Sequence, residues 1–384
     1  MATDASPLFE PLLLGRVKIA NRMAMAPMTR HRSTLEGVPS DLNVEHYRQR
    51  AGLGMIVTEG IYPSEMGKGY VFTPGLTNED HVSGWQRVTD AVHAEGGVIF
   101  GQIMHVGRLS SPLMLNGQSP RGPSAVQPDP TARHYTIHCP RPKTGVPYPT
   151  PQAMTHADVL ETIDDFKRSA ELAAKAGFDG VEIHGASGYL PHQFLSQNAN
   201  IRDDEWGGSV EKRAAFLLAC VDAMIDATAP EFVAVKVSPG WSFHDVFDDD
   251  PIATFSYVIK ELSKRNIAYL QLGNFGMDWD VYGILRPLFD GPAMLVAGFT
   301  QMSGAQAVAS GQADIVAYGQ AVIANPDLDR RYRENLGINR PDTSTFYTQG
   351  AEGYTDYPNY EEAAPESLLP SDSAPLPLDP KIGD

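Results

Sequence analysis

The sequence predicts an α/β fold, a (β/α)8 TIM barrel, and three observations carry that prediction. Eight short strand-like runs recur along the chain, most of them separated by segments of helical pattern. Polar residues and glycines gather just past the ends of those runs, on what a barrel would make one face. The chain has 384 residues, of which 42% are hydrophobic, enough for one large barrel with inserts.

In chain order the strand-like runs are residues 23–27, 55–58, 98–102, 180–184, 233–237, 269–272, 294–297 and 314–318. After the third run, residues 105–155 hold many prolines and no sustained helical period, so a long excursion with a hairpin is expected there, of the kind that forms lids. Thr155-His156-Ala157-Asp158 reads as a capping box, with Val159, Ile163, Phe166 and Ala170 behind it and Gly177 as the stop. A short helix is expected to open at Ser303-Gly304-Ala305-Gln306 and close at Gly311. Asn325-Pro326 reads as an N-cap followed by proline at the first helical position. These elements make residues 1–360 a single barrel domain with the insert 105–155. Residues 361–384, rich in Pro, Ser and acidic side chains, are expected to form a flexible tail.

The formal net charge of −17 argues against nucleic acid or an anionic membrane as a main partner. Two cysteines, Cys139 and Cys220, supply neither a disulfide framework nor a metal cluster. Three adjacent carboxylates, Asp248-Asp249-Asp250, lack the spacing of a cation loop and read as a solvated turn, so no metal is expected. Residues 1–7 carry no basic and apolar leader pattern, and no apolar run is long enough to span a bilayer. A soluble, cytoplasmic protein, monomer or homodimer, is the expectation.

The chemistry is densest after the fourth run, where Val181-Glu182-Ile183-His184 leads into Gly185-Ala186-Ser187-Gly188-Tyr189. An imidazole can donate a hydrogen bond to a carbonyl oxygen, and a phenol can release a proton in a water-poor pocket. Together they suit a reaction in which a conjugated carbonyl is polarised at one end and protonated further along. Gly298 and Gly319 follow the seventh and eighth runs, where barrels often bind phosphate through backbone N–H groups. His105 and Arg108, after the third run, read equally as loop supports or as contacts to a bound ligand.

These pieces resemble the Old Yellow Enzyme family of FMN-dependent, NAD(P)H-consuming ene-reductases. The matching motifs include Met25 through Arg30, Gln102 through Arg108, Glu182 through Tyr189, Arg202 through Gly208, Ala324 through Leu328 and Gly353 through Pro358, in family order. The resemblance implies that Thr29 bonds the flavin near its O4, that Gln102 and Gly60 contact its pyrimidine side, and that Pro27 and Met28 line the ring. Gly298, Gly319 and Gln320 would meet the phosphate. His184 and Ser187 would hold the substrate carbonyl, and Tyr189 would be the proton donor. In two half-reactions, NADH or NADPH gives hydride to the flavin and leaves. An electron-poor alkene (enone, enal, maleimide or nitroalkene) then takes hydride at Cβ and a proton at Cα. Tyr70, Met104, Phe275 and Tyr354 are the implied pocket wall.

Three positions depart from the family pattern. Ser187 stands where Asn or His is usual, Lys236 replaces an arginine beside the flavin N1/O2 edge, and Gln320 replaces the arginine that clamps the phosphate. The loss at Gln320 predicts looser FMN binding, by about 1.5–3 kcal/mol. Lys236 also supports a rival reading, a Schiff-base lyase or aldolase, and the altered contacts support another, a barrel that binds flavin without catalysis.

Overall fold

Eight parallel strands close into a barrel in the computed structural model, which describes residues 4–129, 133–134 and 146–376. They are β1 (Met23–Met25), β2 (Met55–Ile61), β3 (Ile99–Ile103), β4 (Gly180–Gly185), β5 (Val233–Val237), β6 (Leu270–Gly273), β7 (Ala293–Val296) and β8 (Ile315–Tyr318). The ring closes where Tyr318 of β8 pairs with Met25 of β1. Every residue of all eight strands is buried. Helices cover the outer face and side chains fill the inner one, so neither face alternates with solvent.

The helices are α1 (Asp41–Arg48), α2 (Glu79–Ala94), α3 (His156–Lys175), α4 (Leu190–Leu195), α5 (Val210–Ala227), α6 (Pro251–Ser263), α7 (Val281–Leu285), α8 (Gln301–Ala309), α9 (Gln320–Ala324) and α10 (Leu328–Arg333). The capping box of α3 forms as its sequence requires. The Asp158 N–H donates to Thr155 Oγ1 at 3.2 Å and the Thr155 N–H returns to Asp158 Oδ2 at 2.8 Å. Gly177 ends the helix in the left-handed region, φ +84°.

Two helix starts differ from expectation. α8 begins at Gln301 because Thr300, not Ser303, is the cap, and Ser303 supplies the N–H that the Thr300 hydroxyl accepts. Asn325 does not cap a following helix. Its Nδ2 donates back to the Ala321 carbonyl at 2.8 Å and its Oδ1 accepts the Asn339 N–H at 2.7 Å, so it ties the end of α9 to the returning chain. β2 also outruns the expected 55–58. Its register shifts between Val57 and Gly60, where Thr58 Oγ1 accepts the Gln102 N–H at 3.0 Å, and Gly60 then lies opposite Gln102.

The barrel interior is filled by alternate strand residues, among them Ala24, Met55, Val57, Phe100, Tyr269, Met294 and Ile315, with Leu14 and Ile19 of an N-terminal hairpin packed against them. The other strand faces meet α2, α3, α5 and α6 through Trp85, Phe166, Leu217 and Val258. Each such side chain contributes about 1.5–3 kcal/mol on burial. With the interior packed, the room for chemistry lies at the C-terminal ends of the strands.

In the excursion after β3, Arg121–Gly122 pairs in parallel with Gln152–Ala153, and Arg133–His134 pairs antiparallel with Val146–Pro147. Residues 130–132 and 135–145 of that excursion, Cys139 included, and residues 377–384 of the expected tail lie outside the described residues. The described part of that tail makes specific contacts, beginning with Leu368–Leu369 against Ile338–Asn339. Among the described residues, no helix is long and apolar enough to cross a membrane and no His/Cys/Asp/Glu group could hold a metal ion.

Candidate active site

β4 carries His184 to the top of the barrel, beside Lys236 of β5 in register. The Ala186 N–H donates to His184 Nδ1 at 3.3 Å. Burial, then the neighbouring Lys236 ammonium and the His192 and His244 rings, holds the imidazole well below the usual histidine range. The ring is therefore neutral at pH 7. With Nδ1 accepting, its proton sits on Nε2, which makes Nε2–H a hydrogen-bond donor.

The Tyr189 ring meets His184 edge-on, centroids 4.7 Å apart at 80°. Tyr189 is 1% exposed, and its hydroxyl lies 3.1 Å from that of Tyr70. Tyr70, Met104, Val106, Leu109 and Tyr148 form the buried group around it. Met104 lies over Gly60, where a Cβ would stand 2.5 Å from its Cε and 2.6 Å from its Sδ, so any larger residue at 60 would have to push the Met104 side chain aside.

Ser187 is buried in the left-handed region, φ +55°. Both its backbone polar groups are fixed. Its N–H donates to Ser238 Oγ at 3.0 Å and its carbonyl accepts from His244 Nδ1 at 2.8 Å. His244 was not singled out from sequence. It follows β5, its ring lies 5.6 Å from that of Tyr189, and it and Asp245 both have positive φ, +60° and +58°. Its only signal in the sequence is a polar residue a few positions past a barrel strand.

Beneath His184 lies a polar layer. Glu182 is fully buried, and its Oε1 accepts from Gln102 Nε2 at 2.8 Å. Burial pushes its carboxyl up to about 7 against the opposing pull of Lys236 and Gln102. Lys236 is 5% exposed, and among the described residues no carboxylate comes within ion-pairing distance of it. A buried ammonium in that state is arranged for an electron-rich partner.

Thr29 is buried, while Pro27 and Met28 ahead of it are half-buried, Met28 packing towards Ile323, Phe346 and Tyr347. Phe275 stacks on Trp241 at 4.1 Å, and Trp241 on Phe243 at 4.6 Å. Gly298, φ +75°, would place a Cβ with nothing within 4 Å, and Gly319 would meet only Ala26 Cβ at 4.0 Å. Just before Gly298, Ala297 holds φ +105°, a strained value for a residue with a Cβ. These loops leave open backbone beside the barrel mouth. The unpaired Lys236, the bare glycines and the Gln102 carboxamide together fit a flavin with a terminal phosphate.

Not every residue named from sequence joins this group. Tyr354 sits in a different buried network, stacked on His46 at 3.8 Å with its hydroxyl accepting from Asn43 at 3.0 Å. There it supports Arg30 and Glu59, not the pocket wall. Arg108 donates to the carbonyls of Val126 and Asp245, and His105 Nδ1 accepts the Gly107 N–H at 3.0 Å. Both brace the excursion after β3. Gln320, first in α9, spends its carboxamide on the backbone of Leu376.

Comparison with known proteins follows the same order of elements. The profile of the NADH:flavin oxidoreductase / NADH oxidase family matches residues 7–339. The chain is 40% identical over 363 residues to a probable flavin mononucleotide-dependent alkene reductase of Leishmania infantum, covering 91% of this chain and 97% of that one. It is 38% identical over 378 residues to 12-oxophytodienoate reductase 1 of Oryza sativa subsp. japonica, covering 95% and 96%. A morphinone reductase variant in complex with tetrahydroNAD superposes with a TM-score of 0.88 at 38% identity, over 92% of this chain and 97% of that one. The old yellow enzyme homologue from Zymomonas mobilis does so at 0.87 and 35%, over 91% and 99%.

Proposed function

The chain belongs to the NADH:flavin oxidoreductase / NADH oxidase family, the Old Yellow Enzyme family its motifs resemble, and from that premise we propose that it reduces electron-poor alkenes with His184 as carbonyl donor and Tyr189 as proton donor. It is an FMN-dependent oxidoreductase that draws on NADH or NADPH and acts on C=C bonds. Bound FMN would supply the redox chemistry, passing on to the alkene the hydride drawn from the nicotinamide.

The protein's own residues do the rest. His184, neutral and protonated on Nε2, donates to the carbonyl or nitro oxygen of the substrate and draws electron density from the double bond. Tyr189 gives its hydroxyl proton to Cα. Tyr70, 3.1 Å away, can turn its own O–H towards the phenolate that results. Lys236 would supply positive charge to stabilise the reduced flavin. Gln102, its Nε2 tied to Glu182, keeps its Oε1 as the acceptor for the pyrimidine ring. Thr29, Pro27 and Met28 would hold the flavin ring, and Gly60, Gly298 and Gly319 would let backbone approach the cofactor. Met104, Tyr70 and Phe275 bound the substrate. Ser187, with its backbone fixed at both ends, contributes only a short hydroxyl, so activation rests chiefly on His184.

The observation that carries this reading is the Ala186 N–H on His184 Nδ1, since it sets the donor tautomer one ring-contact from Tyr189. A Schiff-base lyase built on Lys236 is not retained, because flavin binding uses Lys236, Thr29 and the two glycines together, and a barrel that binds flavin without catalysis leaves the paired His184 and Tyr189 without a purpose. The test is an anaerobic titration of the purified protein with FMN, NADPH or NADH, and then cyclohexenone. A flavin spectrum that bleaches with the nicotinamide and returns with the enone is the expected result. A spectrum that bleaches but does not return with any enone, maleimide or nitroalkene would remove the alkene assignment.

A further inference from the structure

Gln320 heads α9 at the start of the loop after β8, and its carboxamide is engaged from outside the barrel. The Leu376 N–H donates to its Oε1 at 2.9 Å, and its Nε2 donates to the Leu376 carbonyl at 3.0 Å. Four residues earlier, Asp372 Oδ1 accepts the Met302 N–H at 2.8 Å, in the first turn of α8 after β7. Ser371 Oγ donates to Asn335 Oδ1 at 2.7 Å, and Leu368–Leu369 pairs with Ile338–Asn339. The end of the chain is thus fastened in succession to the returning strand, to the loop after β7 and to the loop after β8. The last two loops carry Gly298 and Gly319.

The local sequence suits this contact. Leu376 stands between Pro375 and Pro377. A proline on each side holds the backbone extended and leaves Leu376 as the one N–H donor of the three. An extended residue presenting one N–H and one C=O matches a primary carboxamide, which offers one acceptor and one donor. An arginine at 320 would have no acceptor with which to receive the Leu376 N–H.

We propose that residues 371–376 form a strap across the loops after β7 and β8, fastened by Gln320, which closes the phosphate end of the cofactor site and sets the rate at which FMN enters and leaves. The proposal rests on the FMN reading given above. The strap takes the place left by a side chain that would have gripped the phosphate directly. It acts as a barrier to exchange, where an arginine would act as an ion-pair partner.

The test uses the full-length holoenzyme and the variants Leu376→Pro and Gln320→Ala, with release of FMN followed by its fluorescence after dilution. Leu376→Pro removes only the donated N–H, outside the barrel, and keeps the backbone extended. Gln320→Ala, which loses both hydrogen bonds, is expected to release FMN about tenfold faster, and Leu376→Pro, which loses one, about fivefold faster, and each to take it up faster as well. The double variant is expected to be no faster than Gln320→Ala, because both act through one contact. Release within about twofold of the unaltered protein in both single variants, or additive effects in the double, would overturn the strap alone. Failure of the unaltered protein to take up any FMN would overturn the flavin reading and the strap with it.

Discussion

Replacing Glu182 by glutamine tests whether the polar layer beneath His184 is charged at the expense of stability. Glu182 is fully buried beside the Tyr269 hydroxyl, and burial raises its carboxyl to about 7. A carboxyl raised in the folded state binds its proton more tightly there than in the unfolded chain. Its stabilising contribution is therefore complete below the unfolded value, about 4.3, and is lost as pH rises through about 7. At about 1.4 kcal/mol for each tenfold in proton affinity, the loss amounts to about 3 to 4 kcal/mol across that window. Glutamine keeps an oxygen for Gln102 Nε2 and does not titrate. The variant should equal or fall below the parent near pH 5 and exceed it by about 2 to 3 kcal/mol more at pH 8. Urea unfolding of the FMN-free proteins at a series of pH values, read by tryptophan fluorescence, measures this. Glu59, which burial also raises to about 7, titrates in both proteins and cancels in the difference. A difference that stays flat between pH 5 and 8 would refute the reasoning, since it would mean that Lys236 compensates the buried carboxylate completely.

Three further outcomes follow from the site. Tyr189→Phe should slow reoxidation of the reduced enzyme by enones by about 10²–10⁴-fold and leave reduction by NADPH or NADH nearly unchanged, as stopped-flow of the two half-reactions would report. Ser187→Asn should stabilise the fold by about 0.5–1 kcal/mol, because asparagine accepts left-handed backbone more readily than serine. It should also tighten binding of a carbonyl ligand, seen as a lower Kd in a spectral titration. Ala297→Gly should raise the melting temperature of the FMN-free protein by relieving φ +105°, a gain of about 1 kcal/mol or more. An unchanged or lower value would mean that the loop before Gly298 is not strained.

How much of this was legible beforehand depended on whether the signal was local. The barrel strands are continuous apolar runs that end in polar residues, so their order and the site end of the barrel could be read directly. His184, Tyr189 and Lys236 lie on or just past such runs, and the structure brings them together. The length of β2 could not be read, because its continuation depends on a bulge held by Thr58 and the Gln102 N–H on the next strand. Asn325 looked like a cap because Asn-Pro is a common start. Its two partners, Ala321 and Asn339, belong to segments whose proximity only the fold decides. His244 stayed hidden because its place depends on two consecutive left-handed residues, neither of them glycine. The tail read as unstructured by composition, and what anchors it is a glutamine some fifty positions away, chain separation 56.

Backbone strain locates the working end of the barrel without appeal to any motif. Among the described residues, five that are neither Gly, Asn nor Asp have φ between +55° and +105°: His31, Phe72, Ser187, His244 and Ala297. Each costs about 1–3 kcal/mol in such a conformation. His31 follows β1, Phe72 follows β2, Ser187 follows β4, His244 follows β5 and Ala297 follows β7. All five therefore lie on chain leaving the C-terminal ends of the strands. At the opposite end the turn into β6 uses Asn266, φ +51°, a residue type that tolerates the same conformation at lower cost. Inside the barrel the charged side chains divide in the same way, with Glu182 and Lys236 in the upper interior and Phe100, Tyr269 and Met55 packed below. A scaffold that needed only stability would have no reason to confine both kinds of strain to one face. Their coincidence around His184 and Tyr189 is what a site held ready for a cofactor and a proton transfer requires, and the rest of the barrel supplies the packing that keeps it so.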